Sequence, residues 1–147
     1  RDVIESRGLG DLYKRQDRNY ALQKADDDVR NAYRVVYQAT DAGLEAAVPG
    51  NTAADVFRAM NRVLETNGAK GGQVGRMGHG LGMQLTEWPS NAVFDNTVLE
   101  NGMVLTLEPG MQFGENKIMV HEENLVIRKE GPQLLTRRAP EELPVIS

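Results

Sequence analysis

Apolar residues recur at helical spacing in two stretches of the first half of the chain. Over residues 29–47 they return every three or four positions, which predicts an amphipathic helix of about five turns. A second stripe covers residues 56–64 and follows Thr52 and Asp55, which have the spacing of a helix cap. The aspartates at 26–28 complement the first helix dipole, and Asn67-Gly68 suits a helix end. We therefore expect two helices within residues 25–68 that pack against a sheet.

The pattern from Gly78 onward is that of strands. Residues 103–107 form a short apolar run typical of a buried strand, and residues 117–128 have the pattern of one long strand. We expect both runs in one curved antiparallel sheet, with the two helices on one of its faces. Pro140 and Pro144 predict an extended, poorly ordered tail. Helices followed by antiparallel strands indicate the α+β class.

Composition limits the function more than the fold. The chain has 147 residues, 40% of them hydrophobic and 26% charged, which is an ordinary balance for one domain with a core. A net charge of -4 argues against a nucleic-acid partner. There is no cysteine, so disulfides, thiolate metal sites and cysteine nucleophiles are excluded. No apolar run approaches the roughly 18 residues that a spanning helix needs, so no membrane partner is expected.

Three residues carry the candidate chemistry. His79, one of only two histidines, lies between glycines in G-H-G-L-G, Glu108 ends the apolar run L-T-L-E-P-G, and Glu122 lies in H-E-E-N-L-V-I. An imidazole and two carboxylates at strand edges suit a hard or borderline divalent metal. Strand alternation sends Glu122 and Glu123 to opposite faces, so that one can face a site while the other faces solvent.

The order of these motifs carries a family resemblance. The sequence H-G-x-G, then E-x-P, then T-L-E-P-G, then H-E-E-N resembles the C-terminal half of the pita-bread metallopeptidases, which include methionine aminopeptidase, aminopeptidase P, prolidase and creatinase. The sequences of these motifs are most similar to those of the aminopeptidase P and prolidase branch. The resemblance implies that His79, Glu108 and Glu122 are metal ligands, with Mn, Co, Fe or Zn as the ion. It also implies a single partial pita-bread domain over residues 1–147.

Within that domain, residues 1–24 correspond to a degenerate hairpin, 25–68 to the two helices and 69–147 to the sheet with the ligand motifs. The family hairpin carries two further ligand aspartates. Setting D-R-N at 17–19 on the family motif places Arg15 at one of these positions and Ile4 at the other. Neither binds a metal as a carboxylate does, so we expect one weakly held ion or none. The Arg15 guanidinium could instead neutralise a glutamate of the site.

A second departure lies seven residues after His79, where the family has a substrate-facing histidine and this chain has Thr86. Thr86 and Glu87 are the candidate catalytic residues. A hydroxyl can hydrogen-bond an oxyanion but cannot shuttle a proton near neutral pH. His121 is a possible replacement donor, although alternation places it away from the metal side. Trp88 could wall an apolar pocket, but a packing role is the simpler expectation.

The resemblance leaves two classes of function open. One is a metal-dependent hydrolase similar to Xaa-Pro aminopeptidase or prolidase, which cleaves peptide bonds near the N-terminus with a metal-activated water. The other is a metal-deficient pita-bread domain that binds peptides or proteins. The fold also includes creatinase-like hydrolases and a dimethylsulfoniopropionate lyase, so the substrate, a peptide or another small molecule, is not fixed. We expect a cytoplasmic protein that is a homo-oligomer or works with an N-terminal half.

Overall fold

The computed structural model describes residues 16–69 and 75–147, and its two helices match the sequence expectation. Helix α1 spans Asp27–Ala46 and α2 spans Ala53–Thr66. Helix α2 begins with a capping box. The Thr52 hydroxyl accepts from the Asp55 amide at 3.2 Å, and the Asp55 carboxylate accepts from the Thr52 amide at 2.9 Å. The two predicted helices are confirmed, with boundaries that differ by a few residues.

Most of the remaining elements belong to a five-stranded antiparallel sheet. Its strands lie in the order β3-β2-β4-β7-β8. A second pair, β5 and β6, forms a two-stranded hairpin, and β1 pairs with β9 in parallel. The strands are β1 Ala21–Leu22, β2 His79–Gly80, β3 Glu87–Ser90, β4 Val104–Leu107, β5 Gly110–Gly114, β6 Lys117–Val120, β7 Glu123–Val126, β8 Gln133–Leu134 and β9 Val145–Ile146. The α+β class is confirmed.

The helices form two layers over the sheet. Helix α1 contacts β4, β5 and β6, and α2 packs chiefly on α1. Gly43 of α1 marks their closest approach, because a Cβ there would lie 2.9 Å from Met60 of α2 and 3.2 Å from Leu107 of β4. Met60 and Leu107 are completely buried, so the core lies between α1, α2 and one face of the sheet.

The predicted long strand over residues 117–127 is broken in two, which corrects that expectation. Its first half, β6, pairs with β5, and its second half, β7, pairs with β4 in the main sheet. The β4–β7 pairing continues the register of the β5–β6 pairing. Between the two pairs of strands, the His121 amide donates to the Pro109 carbonyl at 3.2 Å. Pro109 has no amide hydrogen to return, so the ladder is interrupted at Glu108–Pro109 and His121–Glu122.

Glu123 does not face solvent, which corrects the expectation from strand alternation. Its carboxylate is fully buried and lies 3.0 Å from the Arg18 guanidinium. It also accepts from the Gln16 amide group at 3.0 Å and from the Ala139 backbone amide at 2.9 Å. The expectation that one of the two glutamates faces solvent is wrong because residues 121–127 are all buried, so both faces of this strand are covered by protein.

The C-terminal tail is held against the molecule rather than loose. Leu143 is buried, the Tyr33 hydroxyl donates to the Pro140 carbonyl at 2.5 Å, and β9 pairs with β1. The expected hairpin positions Ile4 and Arg15 lie outside the described residues, as does most of the glycine-rich stretch before Gly75. Within the described ranges, no helix is long and apolar enough to cross a membrane.

Candidate functional site

The candidate site lies on the sheet face opposite the helices. Leu107 of β4 points towards α1, so alternation sends Thr106 to the other face. There the Thr106 hydroxyl reaches both the His79 backbone and the Glu108 carboxylate. Asn124 of β7 is directly opposite Thr106 in the ladder and therefore shares this face. The site is thus built on strands β2, β4 and β7 rather than on loops alone.

The glycines beside His79 are required by close backbone contacts. A Cβ at Gly78 would lie 2.1 Å from the Thr106 carbonyl oxygen, and the φ of Gly78 is 125°. A Cβ at Gly80 would lie 2.3 Å from the Trp88 carbonyl oxygen. Strands β4 and β3 therefore contact the backbone closely on the two sides of His79. This packing holds the imidazole in place with its side chain only 3% exposed.

His79 and Glu108 form the centre of the site. The imidazole Nε2 lies 3.1 Å from Glu108 Oε1, and Nδ1 lies 2.8 Å from the Gly80 carbonyl oxygen. A carbonyl can only accept, so Nδ1 carries a proton. In the neutral ring Nε2 then presents its lone pair to the carboxylate. A lone pair and a carboxylate repel each other, so this arrangement is favourable only with a proton or a cation between the two atoms. The separation of 3.1 Å is also close to that of two ligands of one metal ion, which is about 3 Å.

Glu122 reaches the same end of the sheet through the ladder register. Leu107 pairs with Glu123, and one further step in the same register sets Glu108 opposite Glu122. Glu122 is buried, and its backbone carbonyl accepts from Arg18 at 2.7 Å. Over residues 16–69 and 75–147, however, no group of three or more histidine, cysteine, aspartate or glutamate side chains is placed to hold a metal ion. The donor set fits a metal through two residues, His79 and Glu108.

The model for metallopeptidase family M24 matches residues 10–130, which is most of the chain. The chain belongs to metallopeptidase family M24. The resemblance expected from the motif order is therefore confirmed, and so is the pita-bread fold class, since the described fold superimposes on solved dipeptidase structures.

Relatives at about 30% identity match most of this chain. The chain is 30% identical over 133 residues to the Xaa-Pro dipeptidase of Pyrococcus furiosus, which matches 88% of this chain and 38% of the relative. It superimposes on dipeptidase PepE from Mycobacterium ulcerans with a TM-score of 0.81 and 32% identity, over 88% of this chain and 35% of that one.

The Xaa-Pro dipeptidase from Bacillus anthracis gives a TM-score of 0.81 at 26% identity, over 89% of this chain and 37% of that one. The chain thus spans little more than a third of the length of these relatives.

The two candidate catalytic residues lie at the end of the bend between β2 and β3 and at the start of β3. Thr86 is exposed in a bend between β2 and β3. The Glu87 carboxylate accepts from the Gln84 backbone amide at 2.7 Å, and a Cβ on Gly82 would lie 2.4 Å from one of its oxygens. Glu87 therefore closes the bend of residues 81–86. A catalytic role for either residue remains a prediction.

The side chains of His121 and Trp88 make their contacts with Tyr33 and Thr97. The His121 ring is buried against Tyr33 of α1, edge to face with centroids 4.6 Å apart, so it belongs to the helix side of the sheet. Burial and the charges of Arg18 and Arg138 lower the His121 pKa to about 4. The Trp88 indole is 65% exposed and donates to the Thr97 hydroxyl at 2.8 Å.

Sequence reasoning missed three polar residues around this M24 site. Thr106 bridges His79 and Glu108, Asn91 donates to the Thr106 carbonyl at 2.8 Å, and Asn124 shares the face of Thr106. All three are buried. The available signal was a threonine inside an otherwise apolar strand, because a buried hydroxyl needs partners.

Proposed function

We propose that this chain is the metal-binding portion of an Xaa-Pro-type M24 peptidase, which cleaves peptide bonds near the N-terminus of its substrate. The observation that carries the proposal is the buried imidazole whose Nδ1 is held by the Gly80 carbonyl and whose Nε2 faces Glu108 at 3.1 Å. The names of the matched dipeptidases supply the substrate class.

His79 and Glu108 would hold the ion, with Glu122 as the third ligand expected from the motif order. A bound divalent ion of this kind lowers the pKa of water and polarises the substrate carbonyl. The protein residues contribute orientation. The Gly80 carbonyl fixes the imidazole tautomer, and the Thr106 hydroxyl donates to Glu108 at 2.5 Å. Such partners of metal ligands typically change metal affinity by 10–100-fold.

A metal-independent peptide-binding domain is the second candidate function. It is favoured by the absence, among the described residues, of three grouped metal-ligating side chains. The threonine at position 86 favours it too, because a hydroxyl cannot replace imidazole as an acid or base near neutral pH. In that function the protein would bind proline-containing peptides without cleaving them, and a chelator would leave the binding unchanged.

Metal titration combined with a peptidase assay separates the two functions. The metal-stripped protein is titrated with Mn²⁺, Co²⁺, Fe²⁺ or Zn²⁺ by calorimetry, and hydrolysis of an Xaa-Pro dipeptide is followed with and without each ion. The peptidase proposal predicts metal-dependent hydrolysis, and Glu108→Gln should weaken metal binding at least tenfold. Glu115→Gln is the control, because Glu115 is exposed in the β5–β6 turn. Peptide binding without metal-dependent cleavage would select the binding domain.

The cellular location and assembly state belong to the same proposal. We infer a cytoplasmic protein that is a homo-oligomer or works with an N-terminal half. Strands β3 and β8 lie at the two edges of the described five-stranded sheet, where another chain can pair with them. Light scattering tests the second part, and a monomer at assay concentrations would count against it.

A further inference from the structure

The Thr106 hydroxyl connects the backbone of one candidate ligand to the carboxylate of the other. It accepts from the His79 backbone amide at 3.0 Å and lies 2.5 Å from Glu108 Oε1. A hydroxyl has one hydrogen, and the alternative acceptor, the His79 carbonyl, is 3.5 Å away. The hydrogen is therefore donated to Glu108. Thr106 is completely buried, so no bulk water competes for these bonds.

The position of Thr106 is itself tightly determined. Its carbonyl accepts from Asn91 at 2.8 Å and is covered by Gly78, where any side chain would collide with it. Its ladder partner is Asn124. The backbone on both sides of the hydroxyl is thus held by strands, and the hydroxyl cannot turn away without losing two hydrogen bonds. Glu108 has greater freedom, because its side chain is 28% exposed and lies beyond the end of β4.

We propose that Thr106 is a positioning residue that holds Glu108 Oε1 against the Nε2 atom of His79. The hydroxyl restrains a partly exposed carboxylate to one rotamer, so the two metal-ligating atoms are already 3.1 Å apart before an ion binds. Preorganised ligands bind more tightly, because less conformational entropy is lost on binding. The inference rests on the proposed metal site, and it adds a residue that acts through Glu108 without touching the ion.

Three variants isolate the hydroxyl. Thr106→Val removes it at nearly constant volume, Thr106→Ser keeps it, and Thr40→Val removes a buried hydroxyl within helix α1. Thr40 is a matched control, because it is also completely buried and its hydroxyl donates to the Val36 carbonyl within α1. Thermal melts establish that each variant is folded. If Thr106→Val does not fold, Thr106→Cys is measured in its place, since a thiol of similar size is only a weak donor.

Mn²⁺ affinity is the first measurement. For Thr106→Val we expect a dissociation constant raised about 10–100-fold, the usual effect of losing a partner of a metal ligand. Thr106→Ser and Thr40→Val should remain within about threefold of the wild type, since both keep the hydroxyl that matters. Wild-type affinity in folded Thr106→Val, or equal losses in the valine and serine variants, would overturn the inference.

The ring resonances of His79 in the metal-free protein are the second measurement. The chain has two histidines, so His79→Gln assigns the signals directly. At fixed pH, Thr106→Val should shift the His79 ring nitrogen signals and Thr106→Ser should not, because only the former releases Glu108. A wild type that binds no Mn²⁺ would refute the proposed metal site. The ring signals would still decide the role of Thr106, and an unchanged spectrum in Thr106→Val would refute that role.

Discussion

Arg18 and Glu123 form an ion pair of 3.0 Å that joins the segment before β1 to strand β7. Glu123 is fully buried, whereas the Arg18 side chain is 19% exposed. The same guanidinium donates to the carbonyls of Glu122 at 2.7 Å and Arg137 at 2.8 Å. Three distant parts of the chain therefore meet at one arginine. The segment of residues 16–19 is thereby fixed beside the candidate ligand Glu122.

Arg18→Met should destabilise the protein strongly. The substitution keeps the aliphatic stem but leaves the Glu123 carboxylate buried without its nearest cation, for which we expect a loss of about 3 kcal/mol in the free energy of unfolding. Urea denaturation measures the change. Arg58→Met is the control, because its pair with Asp55 is 52% and 44% exposed and should contribute less than about 0.5 kcal/mol. Equal effects of the two substitutions would contradict the importance of this buried pair.

Gly78→Ala should destabilise the fold far more than Gly50→Ala. Both glycines have a positive φ, 125° and 95°, but only at Gly78 does a Cβ meet backbone, 2.1 Å from the Thr106 carbonyl. We expect about 1 kcal/mol for Gly50→Ala from backbone strain and about 3 kcal/mol or more for Gly78→Ala, because strand β4 must move. Thermal melts of the two variants check the difference. A Gly78→Ala protein as stable as Gly50→Ala would show that β2 and β4 are not packed this closely.

Stability should fall as the pH is lowered from about 6.5 to about 4 because of His121. Its pKa is lowered to about 4 in the folded protein by burial and by Arg18 and Arg138, so the unfolded chain takes up the proton first. The stability that the neutral ring contributes is fully present above pH 6.5 and decreases through that window, by about 3 kcal/mol in all. Urea denaturation across the pH range measures it.

His121→Phe isolates this contribution from that of the carboxylates. Phenylalanine keeps an aromatic edge against Tyr33 and does not titrate. Neither ring nitrogen of His121 has a hydrogen-bond partner among the described residues, so no such bond is lost. The variant should show a shallower pH dependence between 4 and 6.5. Parallel curves for the two proteins would mean that His121 takes no part in the acid sensitivity.

Thr86→His should change the pH dependence of the proposed peptidase. The residue is exposed in the bend between β2 and β3, so an imidazole fits there, and it would add an acid–base group that titrates near pH 6.5. We expect a higher rate of Xaa-Pro dipeptide hydrolysis, on the order of tenfold or more, with a new inflection near that pH. Gln84→His is the control, since it adds the same group to the same exposed bend. An identical pH profile in both variants would remove position 86 from the mechanism.

The sequence determined the elements with a regular pattern and the order of the motifs. Apolar stripes and the Thr52–Asp55 cap were enough to predict α1 and α2, because helix periodicity and capping are local properties. The motif order placed the chain in its family and selected His79, Glu108 and Glu122 as candidate ligands. The glycines beside His79 indicated a close approach, although not which strands approach it.

Only the tertiary structure shows how the strands from β4 to β7 pair and where their ladder is interrupted. The break at Pro109 and His121–Glu122 interrupts the ladder at the positions of Glu108 and Glu122, and a run of apolar residues does not reveal such a break. Glu123 is buried because Arg18, distant in sequence, offsets the cost of its desolvation. The role of Thr106 depends on β2 and β4 lying side by side. In each case the partner is remote along the chain, and local patterns carry no information about which remote residue becomes the neighbour.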